Sequence, residues 1–214
     1  MRYELVPNGV DCRLYFFKDE REEEPGTIVF TGNFKYRPSC HAVKFFVDEI
    51  FPLICSKVPQ AKFLAVGNGA EMALAQYRDK PGFEAVGFVP DLRPYLAKAQ
   101  VAVAPMTLGS GVSNKLAEGF AVGTPVVATS LACGDLPVSS GEHLLIAQDA
   151  KEFADHVLSL FKDAVLRRKI ALCARRLVEE NYDWESVAGK MEALMSRLVD
   201  HRNTESSVRA CAAV

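Results

Sequence analysis

The sequence predicts an α/β fold, a Rossmann-like doubly wound parallel sheet with C-terminal helices. Three observations predict it. From residue 25 to about 147, short apolar runs alternate with longer amphipathic ones. No hairpin signal lies between successive strands, so the strands run parallel and are joined by crossover helices. The strands are apolar on both faces, as befits a sheet covered on both sides.

Thr27–Thr31 (TIVFT) reads as a buried first strand ending in Gly32-Asn33, with a polar turn through Lys35-Tyr36-Arg37-Pro38. A helix follows from about His41 to Ser56, because Val43, Phe46, Val47, Ile50, Leu53 and Ile54 recur at helical spacing. Ala61–Val66 is the second strand, and Gly67-Asn68-Gly69 turns into a helix from about Ala70 to Tyr77. Phe83–Phe88 is the third strand, with a short helix near Leu92–Ala97, and Val101–Ala104 is the fourth. A Gly/Ser loop leads into a helix over about Ser113–Val122, which Gly123-Thr124-Pro125 ends before a fifth strand at Val126–Thr129. His143–Ile146 is the candidate sixth strand, and helices are expected near 151–162, 165–180 and 184–200.

The 214 residues are 49% hydrophobic and 24% charged, enough for a packed core and incompatible with wholesale disorder. Lys plus Arg total 25 against 27 Asp plus Glu, a net charge of −2, so no basic field marks a nucleic-acid binder. No apolar run approaches the roughly 18 residues that span a bilayer, and MRYELVPNGV lacks the features of a secretion signal. The six cysteines are scattered without a C-x-x-C, so free thiols in a reducing cytoplasm are expected. The four histidines are dispersed and no group has zinc-like spacing, so no metal site is expected. The charged run at 18–24 (KDEREEE) reads as solvated linker, and Arg167-Arg168 and Arg175-Arg176 as the exposed face of a helix.

Ligands of open parallel sheets bind at the carboxyl ends of the strands, and three loops there are glycine-rich: Gly32-Asn33, Gly67-Asn68-Gly69 and Gly109-Ser110-Gly111. Leu108–Lys115 is the best anion candidate, since it runs directly into a helix whose unpaired N–H groups and dipole favour negative charge. The same loop is equally consistent with a tight strand-to-helix turn. Glu118 sits among small and apolar neighbours, where an acid costs energy unless something hydrogen-bonds it. Its partner is either Lys115, three residues back, or the vicinal hydroxyls of a ribose. Gly67-Asn68-Gly69-Ala70-Glu71-Met72 is a poor dinucleotide fingerprint, because Met72 takes the third glycine position. Ser110 lies in G-S-G rather than G-x-S-x-G, which argues against a hydrolase elbow.

Five motifs then occur in order: Phe30-Thr31-Gly32, Val66-Gly67-Asn68-Gly69, Gly87-Phe88-Val89-Pro90-Asp91, Gly109–Glu118 (GSGVSNKLAE) and Gly123–Thr129 (GTPVVAT). Together they resemble the C-terminal, nucleotide-sugar-binding domain of the retaining GT-B glycosyltransferases, the glycosyl transferases group 1 family, in its branch for bacterial polysaccharide and cell-surface sugar assembly. The fold would then be one half of a GT-B fold. Residues 1–24 would be an interdomain linker remnant (Val6–Asp11 resembling the linker itself), 25–200 the donor-binding domain and 201–214 a disordered tail. Tyr182-Asp183-Trp184 resembles the start of the terminal helix that crosses back onto the N-terminal domain.

The resemblance implies roles. Glu118 would hold the ribose hydroxyls, and Ser110, Gly111, Val112, Ser113, Asn114 and Lys115 would cradle the diphosphate. Phe88 and Val89 would line the base, with Gly32, Asn33 and Gly67 facing the same cleft. Glu118 and Lys115 are the expected catalytic pair. The substrate would be a nucleoside-diphosphate sugar, with no cofactor or metal required, and a glycan or lipid-linked acceptor. Two departures stand out: the second carboxylate common in the family is Ser110 here, and the basic residue after the first-strand glycine is Asn33. Neutralisation of the diphosphate would fall to Lys115, Lys35 or Arg37. The family's second Rossmann-like domain binds the acceptor and is the expected partner, either upstream in a longer enzyme or as a separate chain, and any peripheral membrane association would run through it. The isolated chain is expected to bind donor and to transfer sugar poorly. A GT-B-fold sugar-nucleotide epimerase is the other enzyme the resemblance allows.

Overall fold

The computed structural model of the chain describes residues 6–18, 23–109, 114–134 and 136–211, with side chains as far as residue 197. Six strands form one all-parallel sheet in the order β3-β2-β1-β4-β5-β6: β1 Glu24–Thr31, β2 Lys62–Val66, β3 Phe83–Gly87, β4 Ala99–Ala104, β5 Val126–Thr129 and β6 Leu145–Ala147. The order reverses between β1 and β4, so the loops leaving those two strands diverge and open a crevice at their carboxyl ends. The expected doubly wound sheet is thus observed, including the sixth strand. β4 (AQVAVA) is buried along its whole length and is built mainly of small residues, which lets helices pack closely over both faces.

The first crossover is helical from Arg37 to Cys55 in three pieces: α1 Arg37–Phe45, a π-turn at Phe46–Ile50, and α2 Phe51–Cys55. The sequence reading expected a single helix starting at His41. The helix starts earlier because Pro38 is preset for a first turn. It widens because Pro52 has no N–H to give and its ring would strike the carbonyl four residues back; the N–H of Phe51 reaches instead to the carbonyl of Phe46. The widened turn delivers Phe46 into an aromatic cluster, with its ring centroid 4.4 Å from Phe63 and 5.9 Å from Phe153.

The remaining helices are α3 Ala70–Ala73, α4 Arg93–Lys98, α5 Asn114–Val122, α6 Ser130–Cys133, α7 Ala150–Lys162, α8 Ala164–Asn181 and α9 Trp184–Cys211. The short α6 was not expected. α7 and α8 are each capped by an aspartate, Asp149 accepting from the N–H of Glu152 and Asp163 from that of Leu166. α9 continues past the expected end at residue 200.

The N-terminal residues are not a free tether. Val10 pairs with Asp183 in an isolated bridge, and Cys12 N–H donates to the Asp183 carboxylate at 2.9 Å. The charged run is corrected at its described ends. Lys18, only 3% exposed, donates to the carbonyl of Ala99 and pairs with Glu23 at 3.0 Å, while Arg167 reaches the other oxygen of Glu23 at 3.2 Å. Buried charges survive only when paired, and these three satisfy one another. The two arginine pairs of α8 are corrected in the same way. Arg168 and Arg176 are exposed, but Arg167 and Arg175 turn inward. The five cysteines whose side chains are described are free thiols. Among the described residues no helix is long and apolar enough to cross a membrane, and no group of three or more His, Cys, Asp and Glu converges as a metal set.

Candidate functional site

A cleft of about 500 Å³ opens at the carboxyl ends of the strands. Its walls come from the loop after β1 (Thr31, Gly32, Asn33, Tyr36), the loop after β2 (Gly67, Asn68), the loop after β3 (Phe88, Val89, Leu92) and the loop after β4 (Met106, Leu108, Gly109). Asn114, Lys115 and Glu118 line it from the first turns of α5, and Leu131 and Ala132 from α6.

Gly32 and Gly67 set the floor. The N–H of Gly32 donates to the carbonyl of Val66 and that of Gly67 to the carbonyl of Gly87, so three strand ends stack. A Cβ on Gly67 would lie 1.8 Å from the carbonyl oxygen of Gly32, and Gly67 has φ +141°. Only glycine allows both the approach and the backbone angle. Phe88 stands at the rim with 72% of its surface exposed, an apolar plate facing an open cleft. Loop Met106–Gly109 is tethered by the Thr129 hydroxyl, which donates to the carbonyl of Met106 at 2.6 Å, and by Thr107 bonded to the ring of His41 at 2.7 Å.

Lys115 and Glu118 are the charged residues of the lining, one turn apart on α5. The Lys115 ammonium lies 5.5 Å from the centre of the Phe30 ring, and burial pulls its pKa below the usual lysine range. Burial pushes the Glu118 carboxyl up to about 7, against the opposing pull of Lys115. No hydrogen bond to the Glu118 carboxylate is made among the described residues. A half-buried carboxylate left in that state is costly, and a pair of ligand hydroxyls would relieve it.

Glu118 also borders a second, partly open chamber of about 180 Å³, lined by Gly9, Val10, Asp11, Tyr15, Asn114, Ala117 and Trp184. Here Trp184 packs on Gly9 so closely that a Cβ would meet its ring at 2.6 Å. The Tyr15 hydroxyl is raised, first by burial and then by the neighbouring charge of Glu118.

Of the residues singled out in the sequence, Gly32, Asn33, Gly67, Phe88, Val89, Asn114, Lys115 and Glu118 line this one cleft. Ser110, Gly111, Val112 and Ser113 lie outside the described residues. Lys35 and Arg37 do not line the cleft; Lys35 lies instead against Gly69. Lining residues absent from the sequence-based candidates include Tyr36, Leu92, Leu131 and Ala132. Of these, the α6 pair had a usable signal, since it directly follows the carboxyl end of β5.

The Glu118 environment makes a measurable demand on stability. The folded chain keeps the Glu118 proton up to about pH 7, whereas an unhindered glutamate loses it near 4.5. Between those values the unfolded state binds fewer protons, so this group makes the fold less stable as pH rises, with no further change above pH 7. Glu118→Gln should flatten that part of the profile. Urea midpoints from pH 4.5 to 8 check it, and parallel profiles for the two chains would refute it.

Comparison with known proteins places these features. The family model described as "Glycosyl transferases group 1" matches residues 25–163. A phosphatidyl-myo-inositol mannosyltransferase of Mycobacterium leprae is 28% identical over 198 residues, covering 87% of this chain and 51% of the relative. The structure of Anabaena Alr3699/HepE in complex with UDP and glucose superposes with a TM-score of 0.74 at 16% identity, over 90% of this chain and 56% of that one. The C-terminal domain of a glycosyl transferase group 1 family protein (LpcC) from Francisella tularensis gives 0.60 at 16% identity, over 82% of this chain and 100% of that one. These structural likenesses show the fold. The chain spans about half the length of the relatives it matches.

Proposed function

Since this chain belongs to the glycosyl transferases group 1 family, we propose that it is the C-terminal, donor-binding half of a retaining GT-B glycosyltransferase and takes a nucleoside-diphosphate sugar in the cleft. The observation that carries the reading is the Glu118 carboxylate, half-buried in that cleft and not hydrogen-bonded among the described residues. A vicinal diol matches a carboxylate with two donors, and ribose carries one. The base lies against Phe88 and Val89, and the diphosphate meets the start of α5 and Lys115. Charge grows on the diphosphate as the sugar leaves. Backbone dipoles and a cation already in place stabilise that charge without reorganising. Glu118 and Lys115 are then the pair that orients and neutralises the donor, with no metal or cofactor assigned a part. HepE, named in complex with UDP, supports a uridine or similar nucleotide.

The acceptor, a glycan or a lipid-linked sugar, belongs to a second domain, upstream in a longer chain or on a separate one, and any membrane attachment belongs there too. Transfer needs both reactants held together in a dry site, so the isolated half binds donor and transfers poorly. The apolar groove of α9 at Trp184, Met191 and Met195 is the surface that partner would cover.

A thermal-shift screen tests the reading. UDP, GDP, ADP or dTDP at about a hundred times its dissociation constant should add about 2.7 kcal/mol to stability. The expected result is a melting-temperature rise of several degrees with at least one of them, and no rise with any would defeat the proposal.

A further inference from the structure

We propose that Arg175 is a positioning residue for nucleotide binding: its guanidinium ties the Cys12–Tyr15 turn to the C-terminal end of α5, and so fixes the chamber wall against which Glu118 stands. The proposal rests on the donor-binding reading above. Arg175 projects from α8 and its side chain is 14% exposed. Nη1 donates to the carbonyls of both Tyr15 and Ala121, and Nη2 to the carbonyl of Cys12 at 2.9 Å. Nε pairs with Glu179 at 2.6 Å, which holds the fork in its plane.

Ala121 is in the last turn of the helix whose first turns carry Lys115 and Glu118. Its carbonyl is one of those that a helix end leaves without an internal partner, and a cation there also complements the helix dipole. The other two carbonyls belong to the N-terminal segment that lines the chamber. A single planar fork therefore joins the N-terminal part of that wall to the helix of the site. A lysine ammonium could not reach three carbonyls from two segments at once.

Among the described residues, the charged or titratable groups lining the two cavities beside Glu118 are Lys115, Tyr15, Asp11 and, from the loop after β1, Tyr36. Lys115 is on its own helix, Tyr15 comes from the Arg175-held turn, and Asp11 is committed to the N–H groups of Arg13 and Leu14. If the turn slides away, water reaches the carboxylate. Glu118 then ionises at lower pH and is no longer held in one place for a diol.

The test is UDP binding by calorimetry from pH 5.5 to 8.5, on the full chain and on Arg175→Lys, Gly9→Ala and Glu118→Gln. The Glu118→Gln profile removes the titration of UDP itself. In the parent chain, UDP affinity should rise with pH around 7 as Glu118 ionises. Arg175→Lys should bind about tenfold more weakly, equivalent to about 1.4 kcal/mol, and its midpoint should fall by about one pH unit toward the ordinary carboxylate range. A mere loss of fold stability would leave that midpoint in place. Gly9→Ala pushes the same segment off Trp184 without touching Arg175, and should move the midpoint the same way. Parent-like affinity and midpoint in Arg175→Lys, or an unmoved midpoint in Gly9→Ala, would overturn the proposal. If the thermal-shift screen selects GDP, ADP or dTDP, that nucleotide replaces UDP in every titration; absence of binding by all four in the parent chain, or an unchanged profile in Glu118→Gln, would instead overturn the donor-binding reading on which it rests.

Discussion

Glu118→Ala should abolish the nucleotide-induced rise in melting temperature and weaken nucleoside-diphosphate binding about a hundredfold, since two hydrogen bonds to a charged acceptor are lost together. The fold itself should survive. The substitution removes a carboxylate that burial disfavours, so the apo chain is expected to unfold no earlier than the parent. A melting curve with and without nucleotide separates the two effects. Retention of the rise in Glu118→Ala would mean that the ribose, or the whole ligand, sits elsewhere.

The second large effect is expected at Gly67→Ala. The added methyl would lie 1.8 Å from the carbonyl oxygen of Gly32, backbone against backbone, at a φ of +141°. No side-chain rotation relieves such a clash, so the ends of β1 and β2 must separate. Overpacking and backbone strain together should cost about 3 kcal/mol. Binding should weaken with stability, because Gly32 and Gly67 are both cleft residues. Urea denaturation measures the first and calorimetry the second. A midpoint within about 0.5 kcal/mol of the parent, the range of an ordinary surface change, would show that the strand ends are looser than they look.

The sheet was readable in the sequence because each strand from Thr27–Thr31 onward is a compact apolar run closed by glycine or a polar turn. The cleft was readable for a related reason. In a parallel sheet the carboxyl ends of all strands meet on one edge, so the loops at Gly32, Gly67, Phe88 and Gly109 had to converge. The π-turn was hidden, although its cause, Pro52, was in plain view. A proline predicts a disturbed hydrogen bond but not whether the helix breaks, kinks or widens.

The inward arginines were missed for want of a simple count. Arg167 and Arg175 lie eight residues apart, in phase with the buried Ala171, Ala174 and Val178, whereas Arg168 and Arg176 are one step out of phase. Besides local partners at Leu160, Phe161 and Glu179, however, the two side chains reach Glu23, Cys12 and Ala121, more than 50 positions away, and no local pattern announces those. The Glu118 environment stood between these extremes. Its apolar neighbours were evident, but the second chamber behind it depends on Gly9 and Trp184 meeting across almost the whole chain.

That meeting has a consequence for the order in which the chain matures. Strand β1 cannot acquire its second neighbour until β4, near residue 99, has been synthesised, and Cys12 gains its anchor only with Arg175 and Asp183. Contacts this remote in sequence form late and slowly. On the ribosome, the segment around Cys12 emerges before β1 yet is among the last to be fastened, and a nascent chain halted before α8 would expose the face of α5 that α8 later covers. Proteases and chaperones that recognise open apolar surface would meet it in that interval.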